Sequence, residues 1–256
     1  MLKDLPRLCV AVLGSGPRAL ASAICLSRHH RVMLGEAATH RTRMRLAHLP
    51  MYPGESELDE FMRRVSTRIE FTDSYASALD AADLVIVAEQ PSFQAAQRSY
   101  DMSAIERCME AIERRRPRAT VVLEAPTPVG YALKVSLQYR IRVIPAPLLL
   151  RQGNVARDRG QPQRIVVGDT SENGLTYAFI AVRSCIDHNT PYLLTNSSEA
   201  EAIHAFERKR VVCGHSEMVE EVVEYCRRQR LNEDQVLHGL KPLDHVQESL
   251  PGELSA

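Results

Sequence analysis

Short apolar runs alternate with amphipathic stretches along the first 145 residues of the chain. Runs at 8–13, 32–34, 69–71, 84–87, 120–123 and 142–144 are rich in β-branched residues and read as strands. Between them, 19–28, 57–64, 74–81, 103–116 and 131–138 carry apolar residues at helical spacing. Apolar strands alternating with helices predict βαβ units and a mostly parallel α/β sheet covered on both faces. A strand at 164–167, a helix at 171–184 and a strand at 192–195 continue the pattern. There the alternation stops. Residues 198–229 read as one long helix, with Ser197 or Ser198 as N-cap and Glu199 and Glu201 in its first turn. Val219, Val222, Val223 and Cys226 share a face near its end, while Gly214 and the block Glu207-Arg208-Lys209-Arg210 weaken its middle. A short helix at 233–238 and a polar tail from Lys241 complete the chain.

Composition narrows the classes of function. At 256 residues, 45% hydrophobic and 25% charged, the chain has the balance of a globular protein with a sizeable core. Basic and acidic residues number 32 each, so no global field draws it to nucleic acid or an anionic membrane. No apolar run reaches the roughly 20 residues of a spanning helix, and no secretory signal opens the sequence. A cytoplasmic protein is expected. Six cysteines without a CxxC read as free thiols, and neither Cys213 with His215 nor Cys185 with His188 has the paired spacing of a metal site.

The strand at 8–13 runs straight into Gly14-Ser15-Gly16-Pro17-Arg18-Ala19 and then a helix. This is GxGxxA in the context that binds a dinucleotide, and it makes the expected fold Rossmann-like and doubly wound. Gly14 would make the tight turn, Gly16 would admit the pyrophosphate, and Ala19 would allow close packing of helix on strand. The helix N-terminus supplies amides and a partial positive charge. Pro17 suits the first turn but removes one amide, which Arg18 could replace with a charged side chain. Glu36 stands 22 residues after Gly14, where a carboxylate meets the ribose hydroxyls, so NAD is expected over NADP; Arg41, Arg43 and Arg45 nearby weaken that preference.

Several segments then follow in an order that resembles the UDP-glucose/GDP-mannose dehydrogenase family, the nucleotide-sugar 6-dehydrogenases. Ala82-Asp83-Leu84-Val85-Ile86-Val87-Ala88 is similar to the family's ADxVIxA strand, and Thr127-Pro128-Val129-Gly130 to the end of its KSTVPVG segment. Pro147 to Gly153 resembles PEFLREG, Arg164 to Gly168 the strand that follows, and Thr195 to Ile203 the TDSTEAEAIK opening of the central helix. The resemblance implies an NAD-binding domain at 1–195 and a dimerisation-type helical region at 196–256, with the C-terminal nucleotide-sugar domain missing. It also implies a four-electron oxidation of a sugar C6 alcohol through a thiol, with lysine, asparagine, glutamate and threonine around the reacting carbon.

Carried over position by position, that set is lost. The lysine of EAEAIK falls on His204 and the following asparagine on Arg208. The glutamate of PEFLREG falls on Leu148, the threonine of KSTVPVG on Pro126 and its lysine on Glu124. The cysteine segment GGxCxPKD has no counterpart. His204 is the one candidate catalytic residue, a general base for a simple alcohol oxidation, against a half-exposed helix position that has drifted from lysine. Ala88 and Glu89 would border the nicotinamide half of the cofactor, with Glu89 and Gln90 where the family has threonine and proline. The expectation is an NAD(H)-binding, catalytically impaired member acting through a partner, as a homodimer or with a full-length homologue, by way of the 198–229 helix. A nucleotide-sugar ligand is the further possibility that the resemblance carries. The alternative is an active two-electron NAD-dependent oxidoreductase on a sugar or other alcohol.

Overall fold

Six strands form one parallel sheet in the structure, a computed structural model that describes residues 6–35, 69–94, 99–115, 119–151, 153–213 and 218–241. The strands are β1 (Cys9–Leu13), β2 (Arg31–Gly35), β3 (Ile69–Thr72), β4 (Leu84–Val87), β7 (Thr120–Leu123) and β8 (Arg142–Pro145), in the order β3-β2-β1-β4-β7-β8. Chain order reverses between β1 and β4, which creates the crevice where doubly wound sheets bind ligands. The four residues of β4 are all buried, because both faces of the sheet are covered. Alternate residues divide cleanly between the faces. Val10, Val12, Ile86, Val122 and Ile144 join one core cluster, and Ala11, Leu13, Val85, Val87, Val121 and Leu123 the other.

The first cluster is closed by α1 (Pro17–Ser27) and α6 (Glu172–Ser184); the second by α2 (Tyr75–Leu79), α3 (Ser103–Arg115) and α4 (Tyr131–Tyr139). Every residue of α1 from Arg18 to Ser27 is buried. An antiparallel pair, β5 (Ser92–Gln94) and β6 (Ser99–Asp101), follows β4, and a parallel pair, β9 (Ile165–Val167) and β10 (Tyr192–Leu194), stands beyond β8. Helix α5 (Val155–Gly160) packs on α1.

The expected long helix is a hairpin. Helix α7 (Ser197–Cys213) and helix α8 (Met218–Gln229) flank residues 214–217, and α9 (Glu233–Leu240) packs on both. In a straight helix, Phe206 and Tyr225 would stand about 28 Å apart at 1.5 Å per residue. Their rings instead meet edge to face with centroids 5.3 Å apart, and Lys209 pairs with Glu221. The chain therefore doubles back between α7 and α8. Ile203, Phe206, Val222 and Cys226, which were expected to meet a partner, are covered by this chain's own α9 and belong to one internal cluster. Val219 alone of the described positions on that face is strongly exposed, at 56%. Glu36, Arg41, Arg43, Arg45, the 57–64 helix and the tail after Lys241 lie outside the described residues.

Candidate functional site

The turn from β1 into α1 sits at the crevice. The Gly14 amide donates to the Gly35 carbonyl at 3.0 Å, tying the turn to the end of β2. Gly14 has φ +155°, and a Cβ there would stand 2.9 Å from Ala19 Cβ and 3.0 Å from the Ala88 carbonyl carbon. Both Ala19 and Ala88 thus pack so closely that only glycine fits between them. Gly16 is different. Its backbone is extended, with φ 172°, and a Cβ would meet nothing within 4 Å. The fold leaves open space at Gly16 that its own packing does not require, which is the room a pyrophosphate needs. Pro17 opens α1 and no side chain caps that helix end, so the first-turn amides keep no side-chain partner. These features fit a dinucleotide phosphate.

Glu89 lies under the same turn and is 6% exposed. Its carboxylate accepts from the Ser15 hydroxyl at 3.2 Å and from the Tyr75 hydroxyl at 2.9 Å. Burial, with Cys108 and Glu89 beside it, raises the Tyr75 phenol above its ordinary value. Ser15, the residue between the two glycines, is thereby pinned by a group that the sequence reading assigned only to the nicotinamide side.

Arg18 points elsewhere. Its guanidinium is buried, donates to the Leu148 carbonyl at 2.9 Å and lines a neighbouring cavity of about 400 Å³. Pro126, Leu148, His204 and Arg208 line that cavity as well. These are four of the five positions onto which the resemblance places the groups around the reacting carbon, so the chain does bring them together. None is a carboxylate, a thiol or a hydroxyl. Glu124, the fifth such position, is 0% exposed and turns into a closed network instead. It accepts from Tyr177 at 2.8 Å, from Ser22 and from Arg159 at 3.4 Å, while Arg159 also donates to Ser22 at 3.2 Å.

His204 is not the half-exposed residue considered from the sequence. It is 4% exposed because the first turns of α7 are buried on all sides. Neither ring nitrogen has a hydrogen-bond partner among the described residues. Burial, then Arg18 and Arg208, push its pKa down to about 3. Arg18 is lowered to about 10, chiefly by burial, with Glu124 opposing and Arg208 adding to the fall. An imidazole so depressed is poorly matched to proton abstraction at neutral pH. The segment 127–132 is held by Glu201, one turn before His204 on α7. Glu201 accepts from Thr127 Oγ1 at 2.9 Å, the Gly130 amide at 2.6 Å and the Ala132 amide at 2.9 Å, fixing α7 against the start of α4.

The sequence reading did not single out Tyr100, whose hydroxyl accepts from Arg208 at 3.2 Å on the cavity wall. It arrives on β6, a three-residue strand too short to register as a pattern. Among the described residues no group of three or more metal-ligating side chains converges, and no helix is long and apolar enough to cross a membrane.

Comparison with known proteins places this geometry. UDP-glucose 6-dehydrogenase of Campylobacter jejuni is 22% identical over 240 residues, covering 93% of this chain and 61% of its own length. The enzyme of the same name from Streptococcus pneumoniae is 23% identical and covers 77% and 52%. The chain therefore spans between half and two thirds of these relatives. A UDP-glucose dehydrogenase structure from Pyrobaculum islandicum shares the fold with a TM-score of 0.69 and 19% identity, over 93% of this chain and 69% of that one. GDP-mannose dehydrogenase from Pseudomonas aeruginosa does so at 0.66 and 17%, over 90% and 56%. Residues 8–181 match the NAD binding domain of one family over most of the sheet described above. The chain belongs to the UDP-glucose/GDP-mannose dehydrogenase family, and its parallel sheet is that family's NAD-binding domain.

Proposed function

We propose that the protein holds NAD(H) at the β1–α1 turn and does not carry out the four-electron oxidation of a nucleotide sugar. Gly14, Gly16, Pro17 and Ala19 shape the phosphate site, Glu36 takes the adenosine ribose, and Ala88 and Glu89 border the nicotinamide half. The cofactor, when bound, supplies a hydride acceptor; the residues named here bind and orient it. One observation carries the negative half of the reading. Among the described residues, the cavity where the family's reacting groups map is lined at those positions by Pro126, Leu148, His204 and Arg208, none of which can form a thiohemiacetal, and burial beside two arginines depresses the one base, His204.

The protein then acts through a partner, a second copy or a full-length relative. The exposed Leu133, Leu137 and Val219 support an interface, although the buried face of the helical hairpin is already covered within the chain. A two-electron oxidation is the second reading; His204 is the candidate base it would use, and its depressed pKa weighs against it. Purified protein incubated with NAD and UDP-glucose tests the proposal. No rise in NADH absorbance and no UDP-glucuronate by chromatography is expected. Two NADH per sugar acid formed would overturn it, and one NADH per aldehyde would establish the second reading. A wild-type chain that scatters light as a monomer at micromolar concentration would remove the self-pairing.

A further inference from the structure

Buried polar side chains are normally satisfied, so the few that are not carry information. Two of them line one cavity. His204 has both ring nitrogens without a partner, and Arg18 has an unpartnered Nε, at 4% and 8% exposure. His204 and Arg208 are one turn apart on α7 and share a face, and Arg18 reaches the same space from α1. Both arginines are held from behind, Arg18 by the Leu148 carbonyl and Arg208 by the Tyr100 hydroxyl. Among the described residues that line the cavity, none is a carboxylate. Two guanidinium groups thus converge on a neutral imidazole, and among the described residues the one carboxylate acting on either of them, Glu124 on Arg18, lies outside the cavity lining.

We propose that this cavity binds a small organic oxyanion, a carboxylate or a phosphate, held by Arg18, His204 and Arg208. An oxyanion would accept from the free Arg18 Nε and from Arg208, the charge-assisted contacts for which arginine is best suited. It would also take the proton-bearing nitrogen of His204 as a third donor, repairing the defect that the fold leaves. Of the rest of the wall, Pro91, Pro126 and Leu148 are apolar and would cover the body of the ligand, while Gln90 and Tyr100 add neutral polar groups. At about 400 Å³ the space lies toward the small end of ligand sites, which run from about 300 to 1,000 Å³. The groups that face His204 are Arg18 from α1 and Arg208 from its own helix, with Glu124 acting on Arg18 from the far side. Neutralising the two cations would therefore raise the proton affinity of His204. The site does not depend on the dinucleotide reading, because His204 and Arg208 lie on α7 and Arg18, although it belongs to the glycine motif, directs its guanidinium to the Leu148 carbonyl and the cavity.

The test is a calorimetric titration of the full chain, without nucleotide, using D-glucuronate and inorganic phosphate at constant ionic strength. D-Glucose serves as the neutral counterpart. Saturable binding of at least one anion and none of glucose is expected. Tighter glucuronate assigns a carboxylate ligand, and tighter phosphate a phosphorylated one. Arg208→Met, at an exposed position where folding is safe, and His204→Leu should each weaken binding by about tenfold or more, the scale of one lost charge-assisted contact. Nuclear magnetic resonance of the His204 ring should show its pKa rising on saturation. Binding of neither anion at millimolar concentration, equal binding by both variants, or an unmoved His204 ring would overturn the proposal. A titration with NADH on the same samples separates this outcome from failure of the cofactor site.

Discussion

Replacing His204 with leucine should stabilise the protein at neutral pH and remove a large part of its acid sensitivity. The imidazole is 4% exposed with two unsatisfied nitrogens. A buried polar group left without partners costs about 1–3 kcal/mol, whereas leucine of similar volume has nothing to satisfy. His204→Leu is therefore expected to gain about 1–2 kcal/mol at pH 7.5, or about 3–6 °C in Tm for a chain of this size. The acid arm follows from the depressed pKa. In the unfolded chain His204 titrates near 6.5, and in the fold near 3. Its contribution is complete above 6.5 and is lost as the pH falls toward 3, because the unfolded chain takes up the proton first. The loss runs at about 1.4 kcal/mol per pH unit, or about 3 kcal/mol by pH 4.5. Urea denaturation at pH 7.5, 6.0 and 4.5 measures both effects. The wild type should lose stability more steeply than the leucine variant by that amount. Parallel slopes, or a leucine variant less stable at pH 7.5, would refute the placing of a neutral, unsatisfied imidazole in the cavity wall.

The two glycines of the turn should separate by function. Gly14→Ala, with its Cβ 2.9 Å from Ala19 and φ at +155°, should lose about 2 kcal/mol or more, read as a fall in Tm. Gly16→Val, in extended backbone with open space beside it, should melt within about 0.5 kcal/mol of wild type. Arg159→Met strands the buried carboxylate of Glu124 and should cost about 3–5 kcal/mol in urea denaturation. Adding Glu124→Gln to it should recover most of that loss, and a double variant as unstable as the single would show that the pair is not what holds α1 to α5.

The sheet was legible because its signal is local. The runs at 84–87 and 120–123 coincide with β4 and β7 residue for residue, since strands buried on both faces read as unbroken β-branched stretches. The glycine turn was equally readable. The helical hairpin was not, because Glu199 to His204 are buried all round and periodicity cannot then say which face meets what. Gly214 and the charged block before it were the available signs of a break, yet helical spacing on both sides joined them into one element. Helix α5 escaped because Val155–Gly160 carries two arginines and an aspartate, and only the fold reveals that Arg159 is 1% exposed against Glu124. His204 was visible as a position but not as a buried cation-flanked imidazole, since Arg18 lies 186 residues away in the chain.

Binding of NADH is the measurement on which the reading turns. Calorimetric titration of the wild-type chain should give a saturable heat with one site per chain, and the folded Gly16→Val protein should give none, because the β-branched side chain fills the space left for the pyrophosphate. Wild-type protein that shows no heat with millimolar NADH, or a valine variant that binds as the wild type does, would contradict it.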